Sequence, residues 1–147
     1  MARFITVVAL LSLAGCESGG DTVGPRGGTV VSADGRFSVE IRPGALEDDV
    51  EIAIEEVACG TMGVDAVGPC YEVTPGGVGF LSPATVTFEL ELEGEMHGGV
   101  PARDLALIVA HGQEWNVLAD RVIDLDDETL SASAVYLSSF AVVRMTK

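Results

Sequence analysis

Three cysteines, Cys16, Cys59 and Cys70, have the widest chemical repertoire in this chain. Cys59 and Cys70 stand 11 residues apart in a glycine-containing segment between two apolar runs. Two thiols so placed can close a disulfide, stay free, or enter a metal site. The metal alternative is short of ligands, because His97 and His111 fit no zinc-binding spacing. His111, Asp120 and one of the serines could be drawn as a hydrolase triad, but no Gly-x-Ser-x-Gly elbow accompanies them. Both histidines stand beside glycines, which places them in exposed turns. The acidic clusters Glu47-Asp48-Asp49 and Asp124-Leu125-Asp126-Asp127-Glu128 offer oxygen ligands for calcium, without the EF-hand spacing and its glycine in the sixth place. Trp115, the one tryptophan, is a sugar platform if exposed and a core residue if not. The expectation is no catalytic set, no metal and no cofactor. Trp115, Asp124, Asp126 and Asp127 are the candidates for a loop-based glycan or calcium site.

The elements that must position these residues follow from composition and period. The chain has 147 residues, 8 basic against 23 acidic, a net charge of −15, and is 48% hydrophobic but 5% aromatic. That hydrophobicity excludes disorder, and the missing basic face excludes a nucleic-acid partner. Lys147 is the only lysine, so the surface favours cationic partners or divalent ions. Phe37, Val39 and Ile41, then Val50, Ile52 and Ile54, then Val86, Phe88, Leu90 and Leu92 alternate with polar residues, the period of half-buried strands. Leu105 to Ala110, Glu114 to Ala119, Leu130 to Tyr136 and Ser139 to Arg144 are shorter or apolar on both sides, which suits strands nearer the middle of a sheet. Turn signals at Ala33-Asp34-Gly35, Pro43-Gly44, Thr74-Pro75-Gly76-Gly77, Ser82-Pro83, His97-Gly98-Gly99 and His111-Gly112 separate them. The fold class expected is all-β, an antiparallel β-sandwich of roughly 8–10 strands, in a single domain over residues 28–147.

The amino terminus has the layout of a secretory signal: Arg3, then an apolar stretch from Phe4 to Ala14 too short to span a bilayer. Leu13-Ala14-Gly15-Cys16 resembles the lipobox of bacterial lipoproteins at every position. The resemblance implies a signal peptide over residues 1–15, a diacylglyceryl group on the Cys16 thiol and cleavage just before it. Glu17 is not the aspartate that tends to retain such proteins at the inner membrane, so it resembles the outer-membrane pattern. Residues 16–27, with Gly19, Gly20, Gly24, Pro25 and Gly27, read as a flexible tether. Loss of residues 1–15 removes Arg3 and takes the charge from −15 to −16. In an oxidising compartment after export, a Cys59–Cys70 disulfide is the preferred reading, with free thiols and a metal site as alternatives.

Gly27-Gly28-Thr29-Val30-Val31, Asp34-Gly35-Arg36 and Val39-Glu40-Ile41-Arg42-Pro43-Gly44-Ala45-Leu46 resemble the opening of the ZU-five domain. That family is named for the zonula occludens scaffold and the netrin receptors, and occurs also in ankyrins and death-domain adaptors. Gly68-Pro69, Tyr71-Glu72-Val73-Thr74-Pro75, Phe80, Ser82-Pro83-Ala84 and the Val86 strand are similar to later segments of the family. The resemblance covers Gly27 to Val143 and implies an antiparallel sandwich. Some members cut their own backbone at a His-Phe-Ser sequence, where the serine hydroxyl attacks the preceding carbonyl. The matching positions here are Ser139, Phe140 and Ala141, which lack both imidazole and nucleophile, so self-cleavage is not expected. Together these readings point to a non-catalytic, lipid-anchored module of the bacterial cell envelope, at the outer membrane, that mediates protein interaction or structural assembly. A glycan- or calcium-binding module is the alternative, and a self-processing domain the third reading.

Overall fold

Alternation of small β-branched and polar residues does produce strands throughout. In the computed structural model, which describes residues 20–146, the first seven are β1 (Asp21–Val23), β2 (Gly28–Val31), β3 (Phe37–Ile41), β4 (Val50–Val57), β5 (Cys70–Thr74), β6 (Gly79–Glu89) and β7 (Leu92–Glu93). They continue as β8 (Met96–His97), β9 (Val100–Pro101), β10 (Leu105–His111), β11 (Glu114–Val117), β12 (Val122–Asp124), β13 (Thr129–Tyr136) and β14 (Ser139–Arg144). Short 3-10 turns occupy Cys59–Met62 and Ala102–Asp104. One sheet has six strands in the order β1-β4-β5-β14-β10-β11, the other five in the order β12-β13-β6-β3-β2, and β7-β8-β9 form a small meander. Every pairing is antiparallel. The protein is an all-β sandwich. The strand number exceeds the expected 8–10 because β1, β7, β8, β9 and β12 have only two or three residues, too few to show a period. No helix among the described residues is long and apolar enough to cross a membrane.

The core lies where the inner rows meet. Phe37, Val39 and Ile41 of β3, Val86 and Phe88 of β6 and Leu130 of β13 face Tyr71 and Val73 of β5, Leu105 and Leu107 of β10 and Phe140 of β14. Phe37 is at its centre, with ring centroids 4.7 Å from Phe88, 5.0 Å from Tyr71 and 5.5 Å from Phe140. The two sheets are also joined by a polar tie. The Tyr71 ring is buried in the core, but its hydroxyl donates to Asp34 Oδ2 at 2.6 Å, on the turn between β2 and β3. Ser32 Oγ donates to Asp34 Oδ1 at 2.6 Å and accepts the Phe37 amide at 3.0 Å, while the Arg36 amide donates to Asp34 Oδ1 at 3.0 Å.

This tie makes stability pH-dependent at both ends. Partial burial alone would raise the Asp34 pKa, but the hydrogen bonds from Ser32, Tyr71 and the Arg36 amide outweigh it and hold the carboxyl below its ordinary value of 3.8. Burial first, and then the Asp34 carboxylate, push the Tyr71 phenol well above its ordinary value of 10.0. The Asp34 contribution is therefore present above pH 3.8 and lost as pH falls through its folded pKa. The Tyr71 contribution is complete below pH 10.0 and declines as pH rises beyond it. The alkaline decline is at most about 1.4 kcal/mol per pH unit, reduced by solvent screening of Asp34. Tyr71→Phe should cost about 1–2 kcal/mol at neutral pH and flatten the alkaline limb. Urea denaturation of both proteins across that range measures it.

Four local expectations are corrected. Residues 21–23 lie in the expected tether but pair with β4, Asp21 opposite Ile52 and Val23 opposite Val50, and Val23 is buried in the core. The link to the sandwich is thereby shortened, because one apolar residue suffices to seat a strand on a free sheet edge. Gly27, at φ +74°, allows this entry: a Cβ there would lie 2.4 Å from the Ile41 carbonyl oxygen. Ser82-Pro83, read as a turn, is inside β6. It lies beyond the last β3 pair, Glu40 with Thr85, and beside the bulge at Ala134/Tyr136 of β13, where a missing N–H breaks no ladder. Glu114 to Ala119, expected nearer the middle, contributes β11 at the edge of its sheet with three of four residues exposed. His97, read as an exposed turn residue, is on β8 and only 8% exposed.

Candidate functional site

A concavity of about 650 Å³ lies where the β7–β9 meander meets the end of the sandwich. Turns at Gly94 and at Gly98-Gly99, all with positive φ, fold the meander so that Leu92 pairs with His97 and His97 with Val100. His97 is thereby placed in the floor of the cleft. Its Nδ1 accepts the Glu91 amide N–H at 3.0 Å, so in the neutral ring the proton is on Nε2. No acceptor within the described residues takes the Nε2 proton, whereas that nitrogen still has access to the cleft. The exposed Glu89, Glu91, Glu93 and Glu128 are among its lining residues, together with Leu92, which also packs against the core, and Met96. Arg36 is the one cation in the lining, and it pairs with Glu91.

No protein-family model and no curated protein matches the chain. The cleft holds no nucleophile beside a base, and no three His, Cys, Asp or Glu side chains converge as metal ligands among the described residues. What it offers is a negative cavity with one fixed hydrogen-bond donor at its base.

Cys59 and Cys70 are joined by a disulfide, with Cα atoms 5.4 Å apart. Cys70 is buried on β5 opposite Val57, and the bridge draws the segment between them across the outer face of the six-stranded sheet. There Met62, Val64 and Ala66 pack with Ile108 and Ala141 in a second, smaller apolar cluster. Val67 N–H donates to the Val142 carbonyl at 2.7 Å and anchors the segment to β14. Trp115 belongs to this cluster and is half-buried. Half-buried against these apolar side chains, its ring presents only part of its area to solvent.

Asp124 Oδ1 accepts the amides of Asp126 and Asp127 at 3.0 and 2.9 Å, so the carboxylate shapes its own hairpin turn. Asp126 and Asp127 are exposed and do not converge with it as a ligand set. Asp120 accepts the Ser133 amide at 3.1 and 3.2 Å, and the Ser133 hydroxyl and amide hold its pKa below the ordinary carboxylate range. His111 instead packs edge-on against Tyr136 at 5.7 Å, so no His–Asp–Ser relay is built. Ser139, Phe140 and Ala141 lie in the regular ladder of β14 between β5 and β10. Cys16 lies outside the described residues. Sequence reasoning missed His97. The signal was its position between two glycine turns, a spacing that makes a short meander and turns one histidine inward.

Proposed function

We propose that this protein is a non-catalytic, lipid-anchored β-sandwich module of the bacterial cell envelope, held at the outer membrane through Cys16, and that it acts by protein interaction or structural assembly. The single observation that carries this reading is Leu13-Ala14-Gly15-Cys16 at the end of a short apolar stretch, followed closely by a folded domain. Two or more acyl chains, at about 0.8 kcal/mol per buried methylene, hold a protein stably on a membrane. The sandwich with ZU-five-like segments agrees with an interaction role by analogy of fold, and fold alone does not fix function. The engaged state of Trp115 and Asp124 counts against the glycan and calcium alternative. Ser139-Phe140-Ala141, embedded in a central strand without nucleophile or base, counts against self-processing.

The anchor reading has a geometric consequence. β1 begins at Asp21, five residues after Cys16, and such a link extends at most about 18 Å. The acidic domain would therefore sit against the membrane surface, within a few Debye lengths of it. Cys16→Ser is expected to move the protein from the membrane pellet to the soluble fraction of fractionated cells. Retention of the variant in the pellet, with loss only on alkaline carbonate washing, would defeat the lipid-anchor reading.

A further inference from the structure

We infer that the cleft at the β7–β9 end of the sandwich receives a lysine or arginine side chain presented on an extended segment of a protein partner. The inference deepens the interaction-module reading and rests on it for the partner's role. Three independent features of the cleft converge on this ligand. Glu89, Glu91, Glu93 and Glu128 belong to its lining against one guanidinium, Arg36, so the local charge attracts a cation and repels an anion. Leu92 and Met96 supply apolar wall for the methylene stem that both basic side chains carry below the charged head. His97, more than nine-tenths buried, presents an Nε2–H without an acceptor, the complement of a peptide carbonyl oxygen.

The same geometry argues against a metal ion. The Glu91 amide fixes the tautomer that keeps the proton on Nε2, and a protonated nitrogen has no lone pair to ligate. Gly68 guards the donor's access: its φ is +107° and a Cβ there would lie 3.2 Å from His97 Nε2. Arg36, paired with Glu91 at the rim, is an internal competitor for the incoming cation.

The test uses the full chain in detergent micelles and a fluorescein-labelled peptide of alternating lysine and glycine, followed by fluorescence anisotropy at low salt. The double variant Glu89→Gln, Glu93→Gln should weaken binding about tenfold, whereas Glu51→Gln, Glu55→Gln on β4, removing the same charge away from the cleft, should change it less than about twofold. Arg36→Gln should tighten binding, because Glu91 is released. The His97 Nε2–H nitrogen resonance should shift on peptide addition. Equal weakening by both double variants would reduce the effect to general attraction by an acidic protein and overturn the proposal. So would an unmoved His97 resonance, or calcium binding that needs Glu89 and Glu93 where the peptide shows none. Thermal melts confirm that these exposed-site variants fold. Because Cys16→Ser reports the anchor and peptide binding reports the cleft, the two readings fail separately.

Discussion

Phe37→Ala is expected to lower the unfolding free energy by about 3–5 kcal/mol, the largest effect of any single substitution considered for this chain. The side chain is fully buried, and among the described residues it is the only ring within 5.5 Å of Tyr71, Phe88 and Phe140 together, so its removal opens a cavity between the two sheets. Neighbouring rings are too rigid, and their strands too firmly paired, to collapse into the space. A domain of this size has a total stability of about 5–15 kcal/mol, so the loss removes a large share. Equilibrium urea denaturation measures it, and a cost under about 1 kcal/mol would show that the centre of the core lies elsewhere. Phe37→Leu, which keeps most of the volume, should recover much of the difference.

The second large effect is expected from Cys59→Ser with Cys70→Ser. Opening a loop with an 11-residue separation removes about 2–3 kcal/mol through the entropy returned to the unfolded chain. The structure adds a local consequence. The bridged segment is the cover of the second apolar cluster, so its release exposes Ile108 and Ala141 on the outer sheet face and wets Trp115. Tryptophan emission should shift to longer wavelength in the native state of the double variant, before any global unfolding. An unchanged spectrum with an unchanged denaturation midpoint would mean that the segment holds its place without the bridge, through the Val67 amide and apolar contacts alone.

Legibility in the sequence differed between the main sheets and the candidate site for a physical reason. Period two is a local property, so β3, β4 and β6 announce themselves by side chains that alternate in and out, and β10, β13 and β14 by short apolar runs. A two-residue strand such as β8 has no period, and its existence depends on the ladder it joins. β11 misled because an edge strand can carry apolar residues without a neighbouring strand: Trp115 packs with the disulfide-linked segment and Val117 stays exposed. Asp124 and Trp115 each have two uses that look alike in the sequence. A carboxylate in a turn is as useful to its own backbone amides as to an ion, and composition does not distinguish the two.

The sequence by itself determined the sandwich class and the pairing partner open to Cys59 and Cys70, since each follows from composition or short-range pattern. The tertiary structure alone decided that residues 21–23 belong to the domain, that Tyr71 ties one sheet to a turn of the other through Asp34, and that His97 shares a cleft with four glutamates. These are contacts between residues distant in the chain or made by strands too short to carry a pattern. Their energies come from burial and hydrogen-bond partners that exist only once both sheets have closed.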